Sequence, residues 1–432
     1  MILASVKRFE NLLMTNGPTT TQSSHDPYAA LRSPGFRLFL TGNVLSVIGM
    51  QMQTVAVGWE IYKRTESNLA LGLVGLVQFV PVIALALSAG RAADRLPRKW
   101  IVMSAMAVIS LAALGLAWAS ARQGDLILTY VCLFVIGVAR AFQQPAKASL
   151  VPLIVPAERF SNAVTWNTGG FHLASVLGPA FSGLLIAGTG GATLVYILDA
   201  FVALGFVAML AFVRIQPQAS AGDSSGIQAL AAGISFLWRN QIILGAITLD
   251  MFAVLLGGAT TLLPVFAEDI LGVGPSGLGW LRTAPAVGAL SMSVLLAYRP
   301  PLERAGRALL WSVAGFGAAT ILFGLSPYFW GSLALLFLTG ALDNISVVIR
   351  HTLVQVLTPN ELRGRVSAVN GLFISASNEL GGFESGFVAY LFGPLISVVS
   401  GGVGTILVVI AVAIGWPQLR RYGRLGSGPE SA

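Results

Sequence analysis

The segment Gly90-Arg91-Ala92-Ala93-Asp94-Arg95-Leu96-Pro97-Arg98-Lys99 separates two long apolar runs, residues 69–89 and 100–119. Each run has about 20 residues, which is enough to cross the hydrocarbon core of a bilayer as an α-helix. Five of the ten residues in the segment are ionisable, and four of these are basic. Because lipid does not accept such a cluster, the segment predicts a tight turn between two membrane helices, and its basic residues favour the cytoplasmic side.

The composition of the whole chain also indicates an integral membrane protein. Of the 432 residues, 55% are hydrophobic and only 10% are charged, and the mean hydropathy is +0.78. A soluble protein carries about 25% charged residues. The net charge of +8 is spread over short loops and forms no continuous basic face, so it indicates membrane orientation and not nucleic-acid binding.

Twelve apolar segments, each long enough for a membrane helix, follow one another along the chain. These segments are Phe36–Tyr62, Leu69–Ala89, Trp100–Ala119, Leu126–Ala146, Phe160–Ala187, Thr193–Val213, Ile242–Ala267, Gly277–Ala297, Ala308–Leu325, Phe329–Ile349, Val366–Tyr390 and Ile396–Trp416. The predicted fold is therefore an all-α integral membrane protein with twelve transmembrane helices. The predicted parts are a cytoplasmic tail 1–35, a six-helix bundle 36–213, a cytoplasmic linker 214–240 with a surface helix, a second bundle 241–416 and a cytoplasmic tail 417–432.

Basic residues are divided unequally between the two sides of this topology. About 21 Lys and Arg residues, Lys147 and Arg350 among them, fall on the side of the 90–99 turn, and only Lys63, Arg64 and Arg122 fall on the other. The positive-inside rule then places both termini in the cytoplasm.

The two bundles repeat each other in sequence. Residues with the same spacing recur about 203 or 204 positions later: Gly75, Gln78 and Pro81 as Gly279, Arg282 and Pro285, and Phe134, Gly137, Pro156 and Glu158 as Phe337, Gly340, Pro359 and Glu361. A parallel six-helix repeat is typical of secondary transporters, in which the substrate site lies near mid-membrane between the halves.

These features resemble the major facilitator superfamily. Gly90, Asp94, Arg95, Arg98 and Lys99 match that superfamily's signature between helices 2 and 3, with Pro97 where a glycine is usual. The resemblance implies a cytoplasmic gate, in which Asp94 meets the N-terminal end of helix 11 and Arg95 and Arg98 complete a charge network.

Two further motifs narrow the resemblance. Gly178-Pro179-x-x-x-Gly183 in helix 5 is similar to the motif of proton-coupled antiporters, although its second glycine pair is incomplete. Arg140-Ala141-Phe142-x-x-Pro145-Ala146 resembles the bacterial enterobactin-exporter-like and drug–proton antiporter branch. This branch implies export across the bacterial inner membrane.

Ionisable residues inside the apolar segments are the candidate functional residues, because a charge at the bilayer centre costs about 3 kcal/mol even on the lenient insertion scale. Arg140 and Asp343 occupy equivalent positions of helices 4 and 10. They suggest one charge pair or one composite binding site across the halves; the alternative is a structural salt bridge. Arg140 also matches the superfamily's helix-4 arginine, which implies a link to proton transfer.

Three acids and one arginine complete the candidate set. Asp250 in helix 7 matches Asn43 in helix 1, and it is either a proton carrier or a hydrogen-bonded packing residue, since a carboxyl removed from water can exchange protons near neutral pH. Glu379 and Glu384 in helix 11 are candidates for the coupling acid or for attracting a cationic solute. Arg282 in helix 8 can pair with either glutamate, attract an anion or extend to the membrane surface.

For the other polar and aromatic residues, the sequence gives weaker support for a functional role. Asp199 in helix 6 is interpreted as structural. Trp59, Trp166 and Phe171, with neighbouring amides such as Gln78 and Asn167, form either an amphipathic pocket or ordinary helix packing.

The sequence therefore predicts a secondary active transporter that exports a small amphipathic solute, such as a siderophore or a drug, by proton antiport. Its predicted partners are the solute, protons and the lipid bilayer, without nucleic acid, and it is expected to function as a monomer. No cofactor or metal is predicted, since the single cysteine, Cys132, excludes a multi-cysteine site and no phosphate-binding loop is present. The same pattern leaves open an importer or facilitator and a non-transporting sensor or assembly protein; an enzyme is disfavoured because no nucleophile–base pair is present.

Overall fold

The computed structural model describes residues 26–215, 226–300 and 302–423, and in these residues it contains helices and no strand. Twelve long helices, α1 to α12, follow one another along the described chain, and a longer connection with a helix of its own separates α6 from α7. Their bounds are Pro34–Thr65, Asn68–Arg95, Arg98–Ala121, Leu126–Ala148, Phe160–Thr189, Thr193–Phe212, Gln241–Leu256, Gly274–Tyr298, Ala305–Leu325, Phe329–Leu357, Asn360–Phe392 and Pro394–Gly415. The predicted all-α membrane fold is confirmed, whereas residues 1–25 and 424–432 of the predicted tails lie outside the described residues.

Eleven helices of the described chain are long and apolar enough to cross a membrane. The twelfth, α11, is 33 residues long and is not one of these eleven; it contains Glu379, Glu384 and several other polar residues. It packs against α2, α7 and α12 as an integral part of the bundle.

The turn between α2 and α3 is shorter than the sequence predicts. α2 continues through Arg95 and α3 begins at Arg98, so only Leu96 and Pro97 connect them. The charged residues before and after the turn are therefore helical. Helix ends that project beyond the hydrocarbon core can carry charged side chains into the interface, which is why the polar segment does not mark the helix limits.

Helices α7 and α10 also differ from the prediction. The predicted helix Ile242–Ala267 breaks at Gly257 and Gly258, and the chain resumes in short helical turns that end at Ile270. A Cβ atom on Gly258 would lie 2.8 Å from the carbonyl oxygen of Gly381, so the break permits close contact with α11. By contrast, α10 runs eight residues beyond its predicted end, to Leu357.

The two halves pack in the same way, as the sequence repeat predicts. In the first half α1 packs against α5 and α6, α2 against α4, and α3 against α4 and α6. Each of these pairs has its counterpart six helices later in the second half. Between the halves, α2 packs against α11 and α5 packs against α8. These two contacts are equivalent, because α2 corresponds to α8 and α5 corresponds to α11 in the repeat.

A short helix, Gly226–Arg239, follows the first half and lies where the sequence predicts a surface helix. We call it the linker helix. It packs against α11, where a Cβ atom on Gly233 would lie 3.0 Å from the carbonyl oxygen of Arg365. Residues 216–225 of the predicted linker lie outside the described chain.

Candidate functional site

Two ends of the bundle must be distinguished to describe the site. The basic end carries the turn at Leu96 and Pro97, and the opposite end carries the turn at Glu66 and Ser67 between α1 and α2. The interface between the halves, which we call the seam, runs between these ends and is bordered by α2 and α11 on one side and by α5 and α8 on the other.

At the opposite end, polar side chains join the two halves. The hydroxyl of Tyr62 in α1 donates to the carboxylate of Asp269, and the ammonium of Lys63 forms an ion pair with Glu268. Both acids lie in the turn of π-helix that continues α7. Nearby, the amide of Asn68 donates to the carbonyl oxygen of Ala389 at 3.2 Å.

Glycines bring the backbones of the halves into contact at two places. On the α5–α8 side, a Cβ atom on Gly183 would lie 2.8 Å from the Cα atom of Gly279. On the α2–α11 side, a Cβ atom on Gly386 would lie 2.7 Å from the Cα atom of Gly72. Small residues allow such close helix approach in membranes. The cross-half contacts described here therefore hold the seam closed from mid-depth to the opposite end.

The predicted helix-5 motif takes part in this closure. Pro179 presents its carbonyl oxygen 2.7 Å from the place where a Cβ atom of Gly279 would lie. Gly178 faces the other way, against Gln51 and the backbone of α1. The motif thus links α5 to its own half through Gly178 and to the other half through Pro179 and Gly183.

A charged cluster occupies mid-depth of the seam. Arg140 of α4 donates from Nη1 to Oε1 of Gln78 at 2.8 Å, and Arg282 of α8 donates from Nη1 to the carbonyl oxygen of Thr260 at 3.0 Å. The carboxylate of Glu379 in α11 interacts electrostatically with both guanidinium groups. One acid of the second half thus interacts with a cation of each half, without a direct ion pair to either among the described residues.

Glycine also positions this carboxylate. A Cβ atom on Gly75 of α2 would lie 2.8 Å from Oε2 of Glu379, so the missing side chain makes room for the acid. Gly75 and Gly279 are equivalent in the sequence repeat, and both lie at cross-half contacts. Glu384 is half-buried beside Ser385 and has neither arginine near it.

Arg140 and Asp343 form no direct ion pair among the described residues in this conformation, so the charge pair and the structural salt bridge stay predictions for another conformation. Arg140 bonds Gln78, and Asp343 has no ion-pair partner among the described residues. The residue next to it, Asn344, accepts a hydrogen bond from Ser293 at 3.0 Å. The two charges lie on equivalent helices of different halves, so a composite site stays a prediction.

Asp250 has a partner that the sequence did not indicate. Arg350 of α10 forms an ion pair with it, and the Arg350 and Asp250 side chains are only 2% and 8% exposed. Sequence reasoning counted Arg350 as a loop cation because the predicted tenth segment ended at Ile349. The apolar residues that follow it, Leu353 and Val354, are buried and would have been the signal of a longer helix.

The matching residue of the first half, Asn43, makes a neutral contact instead. Its amide donates to Oδ1 of Asn167 in α5 at 2.8 Å. Asp199 of α6 is buried against Gly49 of α1 within the first half, and its carboxylate interacts electrostatically with Arg140, so its interpretation as a structural residue stays a prediction.

The aromatic residues considered for a pocket are mainly packing residues. Trp59 is buried in the core, and Nε1 of Trp166 donates to the carbonyl oxygen of Pro27 at 2.9 Å. Phe171 is about half exposed and contacts His172. Of the predicted amides, Gln78 and Asn167 belong to the contacts of Arg140 and Asn43.

The predicted gate residues hold the α2–α3 turn to the first half. Arg98 donates to the carbonyl oxygens of Ala93 and Ser149, and Lys99 donates to those of Ala211 and Val213 at 2.8 and 2.9 Å. A cation at the C-terminal carbonyls of α6 is favoured by the helix dipole.

The rest of the predicted gate is untested in this conformation. Gly90 has open space around it, Arg95 is exposed, and the side chain of Asp94 lies outside the described part of the structure. The contact of this gate with α11 stays a prediction for a conformation that is closed at the basic end.

Comparison with known proteins agrees with this architecture. The chain is 25% identical over 399 residues to the enterobactin exporter EntS of Escherichia coli O1:K1, covering 90% of this chain and 93% of that protein. EntS of Shigella boydii serotype 18 matches with the same identity and coverage.

Solved structures share the fold at low sequence identity. A bacterial homologue of the human lysosomal transporter Spinster, crystallised in an inward-facing and unoccupied conformation, superposes with a TM-score of 0.67 at 15% identity, covering 90% of this chain and 96% of that one. A POT family transporter in complex with 5-aminolevulinic acid gives a TM-score of 0.68 at 12% identity, with coverages of 89% and 96%.

The family profile spans most of both halves. It matches residues 39–382, which include the α2–α3 turn, the helix-5 motif and the charged cluster of the seam. With twelve helices in two equivalent halves and a match of this extent, the chain belongs to the Major Facilitator Superfamily and is a multi-pass membrane transporter.

Proposed function

We propose that this protein is a secondary active transporter that exports a small amphipathic solute in exchange for protons. The observation that carries the proposal is the seam itself. Cross-half contacts close it towards the opposite end, while at mid-depth a carboxylate of one half interacts electrostatically with a guanidinium group of each half. A site between two repeated halves, closed on one side, is what alternating access requires.

The orientation follows from the distribution of basic residues. We propose that the basic end faces the cytoplasm of a bacterium, that the protein lies in the inner membrane and that both termini are cytoplasmic. The moving bodies are residues 36–213 and 241–416, connected by 214–240, and one copy of the chain is sufficient. In this assignment the structure corresponds to a conformation open to the cytoplasm.

Glu379 is the preferred proton carrier, with Asp250 and Asp343 as alternatives. It interacts with Arg140 of the first half and with Arg282 of the second, so its charge affects the electrostatic energy of both moving bodies. Protonation would weaken both attractions and so alter the balance between conformations. Asp250, in contrast, is neutralised within its own half by Arg350.

The nature of the solute is supported by the named relatives. They are described as enterobactin exporters, which supports a siderophore, and a drug-like molecule is the second member of the proposed class. At 25% identity this likeness supports a class of solute and not one compound.

The test uses the purified protein in proteoliposomes with a panel of siderophores and amphipathic dyes. A pH jump that creates a proton gradient should drive solute movement opposite to the proton flow. If no member of the panel moves in response to the gradient, proton antiport is wrong. Accumulation in inverted vesicles supports export, accumulation in right-side-out vesicles supports an importer, and unimpaired activity with Arg140, Asp343 and Glu379 all neutralised supports a non-transporting role.

A further inference from the structure

Lys147 of α4 is a cation that the proposed transport cycle does not use. It lies seven residues after Arg140, which is two helical turns, so the two side chains share one face of the helix. Arg140 donates to Gln78 of α2, a helix that borders the seam, and interacts electrostatically with Glu379 of the other half, so that face is turned towards the seam. Lys147 lies on it near the basic end, one residue before α4 ends at Ala148.

No acid neutralises Lys147 within the described residues. Its side chain forms no ion pair there, and the charged group that acts on it is Arg140, which has the same sign. The residue is nevertheless half-buried in a membrane helix. A cation in this position is costly without a counter-ion or a polar partner.

The sequence repeat shows what the counter-ion would be. Lys147 lies 22 residues after Asp125, which caps α4, and Arg350 lies 22 residues after Tyr328, which caps α10. The two cations therefore occupy the same register in the two halves. Arg350 is neutralised by Asp250 of α7.

The acid of this pair is replaced in the first half. Asp250 lies ten residues after the cap residue Asn240 of α7, and ten residues after the cap residue Ser33 of α1 the chain has Asn43. The amide of Asn43 is bonded to Asn167. The first half has thus kept a cation at this register and has an amide in place of its acid.

We propose that Lys147 binds an anionic group of the transported solute, such as a carboxylate, phenolate, sulfonate or phosphate. The solute itself supplies the charge that Asp250 supplies in the second half. Arg140 is the next cation on the same face, about 10 Å further towards mid-depth at 1.5 Å per residue. This inference rests on the proposed transport function and adds the charge of the solute to it.

The test measures binding, which needs no gradient. Isothermal titration calorimetry on the purified full-length protein in dodecyl maltoside would compare 2-naphthoate with 2-naphthamide, its neutral counterpart of the same shape. We expect the anion to bind about tenfold more tightly or better, as a charge-assisted contact predicts. Lys147→Gln should remove this preference and Lys147→Arg should keep it, while Arg299→Gln, which removes an exposed cation, should leave it unchanged.

A second variant restores the acid instead of removing the cation. Asn43→Asp places a carboxylate at the register of Asp250 and should reduce the preference for 2-naphthoate while Lys147 is intact. Equal affinity for the two naphthalene compounds in the unaltered protein, or an unchanged preference in Lys147→Gln, would overturn the proposal.

One arm separates a free solute from a lipid headgroup, which has the same anionic chemistry. If phosphatidylglycerol nanodiscs abolish 2-naphthoate binding while zwitterionic nanodiscs do not, the anion at Lys147 is a lipid and the proposal is wrong. If the protein prefers 2-naphthoate but a proton gradient drives no flux, proton antiport is wrong and the role of Lys147 is unaffected. If a proton gradient drives flux but the protein binds 2-naphthoate and 2-naphthamide equally, only the role of Lys147 is wrong.

Discussion

The carboxylate of Asp250 and the guanidinium of Arg350 form a buried ion pair that joins α7 to α10 within the second half. Both groups would be strongly disfavoured alone in this environment, because a buried charge keeps its desolvation cost when its partner is removed. The pair therefore belongs to the internal structure of the second half.

Breaking this pair should destabilise the protein more than removing it altogether. Asp250→Asn or Arg350→Gln alone leaves one buried charge unpaired and should cost about 3–5 kcal/mol. The double variant should recover a substantial part of that loss. Thermal unfolding in detergent measures the stability of the unaltered protein, the two single variants and the double variant. If the stability losses of the single variants add up in the double variant, a direct interaction is contradicted.

The glycine contact between α5 and α8 should be sensitive to one added methyl group. In Gly183→Ala the new Cβ would lie 2.6 Å from the carbonyl oxygen of Pro275, so the halves must separate or shift. The cost of such overpacking is about 1–3 kcal/mol. Gly188→Ala is the matched control on the same helix, since nothing lies within 4 Å of its added Cβ.

Spin labels report this shift directly. Arg122 and Tyr328 are exposed turn residues at the opposite end, one in each half, and they can be replaced by cysteine once Cys132 is changed to Ser. Double electron–electron resonance should show a longer distance population in Gly183→Ala and none in Gly188→Ala. The same distribution in both variants would mean that the glycine contact does not hold the halves together.

Of the contacts that Tyr62 and Lys63 make at the opposite end, the hydrogen bond of Tyr62 should matter more. Tyr62 is buried although its acceptor Asp269 is exposed, so Tyr62→Phe removes a part-buried hydrogen bond and should weaken closure by about 0.5–1.5 kcal/mol. Lys63→Gln removes an ion pair whose lysine side chain is 60% exposed. Such pairs contribute about 0–1 kcal/mol. The same spin-label pair measures both variants, and a larger opening in Lys63→Gln would reverse the assigned order.

Glu379→Gln should uncouple transport from the proton gradient. The amide keeps the shape of the side chain but carries neither charge nor exchangeable acid, so we expect gradient-driven flux to fall about tenfold or more, as for a removed proton-transfer group. Solute exchange without a gradient should persist. Glu384→Gln, five residues further along α11 and away from both arginines, is the control; an equal loss in both variants would argue against Glu379 as the carrier.

The sequence predicted the features that are local or repeated. Hydropathy located all twelve helices, and the recurrence of Gly75 as Gly279 predicted two equivalent halves whose glycines indeed lie at cross-half contacts. The prediction that Arg282 can pair with a glutamate of α11 rested on depth alone, and the structure places it near Glu379.

Contacts between distant segments were not predictable in the same way. Tyr62 and Asp269 are 207 residues apart, and neither is unusual in its own helix. Arg350 was missed because an apolar window ends where a charge appears, although that charge is neutralised by a residue of another helix. Pairing of this kind depends on how helices pack in three dimensions, and hydropathy along a single chain contains no such information.

The interaction of Glu379 with cations of both halves has an electrical consequence for the proposed mechanism. If the halves rock, a carboxylate fixed to one of them changes its depth relative to a guanidinium fixed to the other, and charge moves through the field of the membrane. Displacing one elementary charge across the full potential is worth about 2.3 kcal/mol per 100 mV. The conformational balance of this transporter should therefore depend on membrane voltage, and neutralising Glu379 should change that dependence.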